Sequence, residues 1–391
     1  EDARFAYATL IEKNGVKTEL LFRMLKYFIR TDNEPEVERL KDFFQADKKL
    51  KVDPGAYAEL GGYLIDKSKL DDVRDILFRA LSVSERMPEL HYQLARFYLK
   101  LKDSTEENKA LDFAIAFFED SKPLSKKQLT MLIDALRRKG ENRYAKKDYL
   151  VAEESFTKAI DLYTDARDRN ILTPSPVFGK LFADLGDIYY YVGDDLSLAY
   201  SQFSSAEENG YSVPELSYKK GYILYDNGDY GGALSEFTKA AGKYSQNLNL
   251  AYATANAFFM RNDHGSAEGF YRDILRKLLQ KRALTENFRP EEREDHRIIV
   301  ENTMKVYNNL GVTLHALWYK TGDNAKFSES LICFTKALEI YDNLMRNTES
   351  LERSETKSIP LLNQMHILYP QNDYILQLYD SIPKDMDAQA F

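Results

Sequence analysis

Apolar residues along this chain recur at three- and four-residue spacing, in runs broken by short polar turns, which is the pattern of amphipathic helices. The stretch GYILYDNGDYGGALSEFTKAA, Gly221 to Ala241, shows the unit. A first apolar run holds Gly221, a turn follows at Asn227-Gly228-Asp229, and a second run carries Ala233, Phe237 and Ala240. Glycine inside a helix costs about 1 kcal/mol relative to alanine. Its recurrence at one register predicts a place where two helices approach too closely for a side chain, with Phe237 filling the space beside it. No alternating pattern of any length competes, so the chain is expected to be all-α.

The unit repeats. Gly221, Ala233 and Phe237 stand 34 residues before Ala255, Ala267 and Tyr271, Gly61 stands 34 before Ala95, and Gly186 stands 35 before Gly221. Gly140 precedes Ala152, Phe156 and Ala159 in the same order, as Gly311 precedes Phe334 and Ala337. A period in this range marks stacked helix pairs, each burying its apolar face on its neighbours. On these residues the chain resembles the tetratricopeptide (TPR) repeat family, whose helix–turn–helix unit carries Leu, Gly and Tyr, then Ala, Phe, Ala and Pro. The resemblance implies a right-handed α-solenoid of about eight units, starting near Thr18, Pro54, Pro88, Ile133, Gly179, Pro214, Leu248 and Met304. In the first unit Leu25 replaces the small residue, and ARFAYATLIEKNG before it reads as the second helix of a broken preceding unit. The repeats are expected to span 1–357. Residues 358–391 are expected to form capping helices and a tail, punctuated by Pro360, Pro370 and Pro383.

Three segments stretch the period. One, about 164–180, contains Pro174 and Pro176 and reads as a loop between stacked pairs. The second, about 276–303, includes KRALTENFRPEEREDHR, whose mixed charge and single proline predict extended helices around an exposed loop. The third, about 320–327, reads as a stretched turn, KTGDNAKF.

Composition then narrows the chemistry. Lys and Arg number 54 against 62 Asp and Glu, a formal charge of −8, the wrong sign for a general nucleic-acid binder. No apolar run approaches the roughly 18 residues of a membrane span. One cysteine, Cys333, excludes an internal disulfide framework and fits either cytoplasm or periplasm. The five histidines are scattered, and no HExxH, GxSxG or phosphate-cradling glycine loop is present. Neither catalysis, nor a metal, nor a cofactor is expected. One basic cluster, Arg137, Arg138, Lys139, Arg143, Lys146 and Lys147 with Glu141 among them, reads either as a dock for an acidic or phosphorylated segment or as a solvated helix end.

Twenty-seven tyrosines and 22 phenylalanines invite a further use beyond packing. The resemblance implies that the first helix of each unit lines a concave face. By register, that face would present Tyr92 and Arg96, then Tyr190 and Tyr191, then Tyr218, Tyr222 and Tyr225, then Tyr252, Asn256 and Phe259. Tyrosine combines a large apolar area with a polar tip, so such a groove suits an extended peptide or an amphipathic helix. Each ring alone reads equally as packing between neighbouring first helices; the run as a whole reads as a binding surface. The family's clamp for acidic chaperone tails is missing, because its key register here reads Ala58, Tyr92, Arg137, Ala183, Tyr218, Tyr252 and Asn308. The expectation is a non-enzymatic scaffold that binds proteins or peptide segments within a multiprotein assembly, without nucleic acid or membrane insertion. Two alternatives stand beside it: a structural subunit, since the chain's texture resembles TPR proteins of spirochaete periplasmic flagellar collars, and a regulatory region of a longer enzyme.

Overall fold

The structure, a computed structural model, describes residues 18–46, 53–285, 293–346, 359–368 and 375–386. The broken unit expected at ARFAYATLIEKNG lies outside them. The described residues are helical nearly throughout and fall into two compact units that divide between Tyr211 and Ser212. The first unit pairs α1 (Thr18–Arg30) with α2 (Glu34–Ala46), α3 (Pro54–Asp66) with α4 (Val73–Leu81), and α5 (Pro88–Lys100) with α6 (Ser104–Asp120). It continues with α7 (Lys126–Ala145) and α8 (Tyr149–Asp168), then α9 (Pro176–Ile188) and α10 (Leu196–Glu208). The second unit pairs α11 (Pro214–Asp226) with α12 (Tyr230–Tyr244), α13 (Leu248–Met260) with α14 (His264–Thr285), and α15 (Arg293–Thr321) with α16 (Asn324–Arg346). A last helix, α17, covers Ile359–Leu368.

Local chemistry starts these helices where they start. Proline stands at the first turn of α3, α5, α9 and α11, where its missing N–H costs nothing. Asp103, Asp195, Asp229 and Asn247 cap α6, α10, α12 and α13 by accepting backbone N–H bonds, and Ser125 with Gln128 forms a capping box on α7. The turn inside every pair uses one device. The residue ending the first helix takes a positive φ: Asp32, Ser68, Lys102, Lys147, Asp194, Gly228, Asn262 and Gly322. That left-handed residue reverses the chain, and in five of the pairs the next residue, Asp103, Asp195, Asp229, Asp263 or Asp323, caps the second helix by accepting a backbone N–H bond.

The recurrent glycines are packing positions. A Cβ at Gly140, Gly186, Gly221 or Gly311 would stand 2.6, 2.6, 2.5 or 2.8 Å from the ring of Phe156, Phe203, Phe237 or Phe334 on the paired helix. All four rings are buried. Cys333 is buried beside Phe334, and that burial pushes its thiol up to about 12, so it remains a protonated core residue.

The interruptions of the period resolve mainly into longer helices. Helices α7 and α8 each run 20 residues, leaving a shorter loop to Pro176 than the one placed at 164–180. Helix α14 runs to Thr285 and α15 is 29 residues long, while residues 286–292 between them lie outside the described set. The stretched turn expected at 320–327 is not there. Only Gly322 and Asp323 separate α15 from α16, and Asp323 Oδ1 accepts from Ala325 N at 2.9 Å to begin the new helix at once. Of the capping helices and tail expected over 358–391, α17 is present, whereas residues 375–386 carry no helix and run along the second unit. Among the described residues no helix is long and apolar enough to cross a membrane.

Candidate peptide-binding groove

Within the second unit, α11, α13 and α15, with α17 beside them, hold the segment Ile375–Met386 through its main chain. At Gln377 and Tyr379 the contacts follow the pleat of an extended chain, in which alternate residues face one side, whereas the chain bends at Lys384 and Asp385 and turns at Met386. Gln377 donates its N–H to Asn363 Oδ1 at 2.8 Å, and Asn363 Nδ2 returns a bond to the carbonyl of Gln377 at 2.8 Å. Two residues on, Tyr379 donates to Asn309 Oδ1 at 2.8 Å and accepts from Asn309 Nδ2 at 3.0 Å. A side-chain amide thus pairs with a peptide group as a neighbouring β-strand would. Asn308 Nδ2 adds a third bond to Gln377 O at 3.1 Å.

Tyrosine hydroxyls and further asparagines take the remaining carbonyls. Tyr252 donates to Tyr379 O at 2.7 Å, Tyr225 to Asp380 O at 2.9 Å, and Tyr218 to Pro383 O at 2.7 Å. Asn256 Nδ2 reaches the carbonyls of Tyr379 at 3.0 Å and Asp380 at 3.3 Å. At the far end Asn247 and Asn249 each donate to Met386 O at 3.0 Å. Burial holds the hydroxyls of Tyr225 and Tyr252 well above the ordinary tyrosine range, so both stay neutral donors.

The donors are fixed from behind. Tyr271 donates to Asn256 Oδ1 at 2.5 Å, which turns the Asn256 amide nitrogen toward the segment. Asn309 Nδ2 also donates to Tyr252 Oη at 3.0 Å, tying two helices into one network. Asn256 and Asn309 are both fully buried, where an unpaired amide would be costly. Side chains of the segment fill apolar ground: Ile382 and Met386 join the core of α11–α15, and Tyr379 packs near Val300, Met304 and Ile340. Leu376 and Leu378 lie against Val312, Phe334 and Ile367.

The expected groove residues therefore divide. Tyr218, Tyr225, Tyr252 and Asn256 meet on one segment, whereas Tyr222 and Phe259 are half-buried residues packed against the core of the unit. Those in the first unit do other things. Tyr92 donates to Asp134 at 2.8 Å, and Arg96 is paired with Asp66 and with Gln93 beside an open cleft of about 630 Å³. Tyr190 is not a groove residue: it is fully buried, with its ring 4.9 Å from that of Tyr191 and 6.0 Å from that of Phe203. It lies within a π-helical turn at Tyr189–Gly193, which interrupts the α-helical register. Tyr191 stays partly exposed.

The basic cluster is corrected in the same way. Arg137 pairs with Asp134 and Glu141, Arg138 is buried against Glu107 at 2.5 Å, and Arg143 reaches Asp148 at 3.3 Å. Neighbours in sequence lie about 100° apart around a helix, so α7 distributes these arginines over several faces. Lys146 and Lys147 alone of the named cluster are exposed, at the turn. Sequence reading missed Asn247, Asn249, Asn309 and Asn363, and above all the segment itself. A signal existed: asparagine is disfavoured inside helices, yet Asn256, Asn308 and Asn309 stand mid-helix among apolar residues.

Residues 183–247 and 218–278 match the tetratricopeptide repeat family model. The helix pairs within residues 183–278 accordingly carry TPR repeats, a family whose members generally serve as protein-interaction scaffolds. Among solved structures, the chain is similar to the C-terminal part of a TPR repeat-containing protein from Cytophaga hutchinsonii, with 13% identity over 78% of this chain and 99% of that one and a TM-score of 0.44. It is similar to pilF of Pseudomonas aeruginosa, with 16% identity over 57% and 90% and a TM-score of 0.42. It is also similar to YrrB, described as a TPR protein with an unusual peptide-binding site, with 16% identity over 54% and 96% and a TM-score of 0.39. No curated protein matches the chain. The flagellar-collar resemblance gains no support from these comparisons.

Proposed function

We infer that this chain, carrying TPR repeats, is a non-enzymatic scaffold that captures an extended segment of a partner protein on the α11–α13–α15 face. One observation carries the reading: that face, together with Asn363 of α17, already grips a segment through its peptide groups, with donors and acceptors at Gln377 and Tyr379 set at the spacing of a strand. Main-chain bonds supply affinity that tolerates many sequences, and the apolar sites beneath Tyr379, Ile382 and Met386 supply selectivity. Rigid donors lower the entropic cost of capture, so a few anchors can dominate the affinity.

The test is cross-linked affinity isolation from the source organism with the parent chain and with a Tyr218→Phe, Tyr252→Phe, Asn309→Leu variant. These changes remove donors while nearly keeping volume. A defined set of proteins captured by the parent and lost with the variant, at unchanged helical content, is the expected result. The same set held by both would assign binding to the outer faces and loops, as in a structural subunit, and would overturn the groove reading.

A further inference from the structure

Resting on that reading, we propose that Ile375–Met386 is a displaceable cis ligand of the groove, occupying the place of a partner's extended segment with apolar anchors where Tyr379, Ile382 and Met386 now sit.

The segment has the chemistry of a ligand rather than of a repeat. It carries no helix, and its polar contacts with α11, α13, α15 and α17 run through its backbone carbonyls and two of its amides. It is also unevenly held. Ile375 is 85% exposed, and Gln377, Asp380 and Ser381 face solvent, whereas Ile382 and Met386 are 8% and 5% exposed. With two residues buried, six half-buried and four exposed, the segment is expected to open locally before the helices do. Part of the repeat packing does not involve it: the Gly221–Phe237 and Gly311–Phe334 contacts, like the Tyr271–Asn256 bond, join helix to helix.

The groove also defines what would displace it. Bidentate pairing of Asn363 and Asn309 with residues two apart demands an extended backbone, so an amphipathic helix does not fit. The spacing of the anchors sets a pattern for the displacing segment: an aromatic residue, an apolar residue three positions on, and a second four beyond that. Proline fits directly after the first apolar position, because at Pro383 only the carbonyl is used, by Tyr218. The occupied groove would hold affinity for partners down. Six residues, 369–374, join the segment to α17, and a short tether gives effective concentrations in the millimolar range. A partner in trans competes with that concentration until the segment is drawn away.

The experiment uses the full chain and a fluorescent peptide of the sequence Ile375–Met386 as probe. Parent chain is compared with an Ile382→Asp, Met386→Asp variant, which expels the cis anchors, and with that variant carrying Asn309→Leu. The anchor variant should bind the probe at least about tenfold more tightly than the parent, and Asn309→Leu should abolish the gain. Equal, tight binding by parent and anchor variant would leave the groove reading standing and overturn the cis-ligand proposal. No binding by either chain, with both folded by circular dichroism, would overturn both. Hydrogen exchange on the unmodified parent decides the matter even if the variant fails to fold. The amides of Gln377 and Tyr379 should exchange at least about tenfold faster than that of Ala255 in α13. Exchange as slow as Ala255 would make the segment a permanent part of the fold and overturn the proposal. A stable dimer of the parent that the probe dissociates would assign the groove to a second copy and overturn it likewise.

Discussion

Replacing Gly221 by alanine tests the packing logic of the repeats. The new methyl would stand 2.5 Å from Cε1 and 2.6 Å from Cδ1 of Phe237, against an ordinary carbon–carbon contact of about 3.5–4.0 Å. The ring has little room to retreat. It is fully buried and lies 5.5 Å, centroid to centroid, from the ring of Tyr218, whose hydroxyl holds Pro383. Overpacking of this kind costs about 1–3 kcal/mol. Better helix propensity returns about 1 kcal/mol, so the net loss should fall near 0–2 kcal/mol. Gly242 on α12 is the internal control, because nothing lies within 4 Å of its Cβ position. There the same substitution should stabilise by about 1 kcal/mol. Urea denaturation of the full chain, followed by far-UV circular dichroism, should therefore separate the two variants by about 1–3 kcal/mol. Adding Phe237→Leu should couple with Gly221→Ala by at least about 0.5 kcal/mol in the direction of relief. If Gly221→Ala stabilises as much as Gly242→Ala, the glycine is not there for the ring, and the repeat register is wrong.

Two further predictions concern charges in the first unit. The buried pair of Arg138 and Glu107 has side chains only 6% and 4% exposed. Glu107→Ala should destabilise by about 3–5 kcal/mol in urea, whereas Glu107→Met with Arg138→Met should restore most of that loss; equal losses would mean that the pair is not a coupled unit. On α9, burial raises Asp184 from 3.8 to about 6, with Lys180 at 2.8 Å pulling the other way. The native chain thus holds this proton more firmly than the unfolded chain. Its contribution is present in full below pH 3.8 and is lost as pH rises through about 6, an effect of at most roughly 3 kcal/mol. Asp184→Asn should flatten the fall in urea midpoint across that window and gain stability at pH 7, and a parent-like pH slope in the variant would contradict the assignment.

Much of the architecture was legible along the chain because it depends on local spacing. Amphipathic periodicity fixed the helices, and Gly221 with Phe237 fixed how they pair, since a small residue and a large ring at constant separation must meet across a tight turn. The turns were only partly legible. Gly228 reads as a turn residue, but Lys102 and Lys147 adopt the same left-handed backbone without any such signal. There the closure of the two helices, not residue preference, imposes the conformation.

By itself, then, the sequence determined the helix pairs, their register and an aromatic face on α11 and α13. Only the tertiary structure decided what that face does. The rings are shared between core and groove, and Tyr190, within the π-turn, lies in the core against Phe203. The groove's ligand lies more than a hundred residues from most of the side chains that bind it: Tyr218 with Pro383 and Asn256 with Tyr379 are 165 and 123 positions apart. A backbone carbonyl carries no mark in the sequence, so a site that reads peptide groups through asparagine and tyrosine becomes visible only when the chain is folded onto itself.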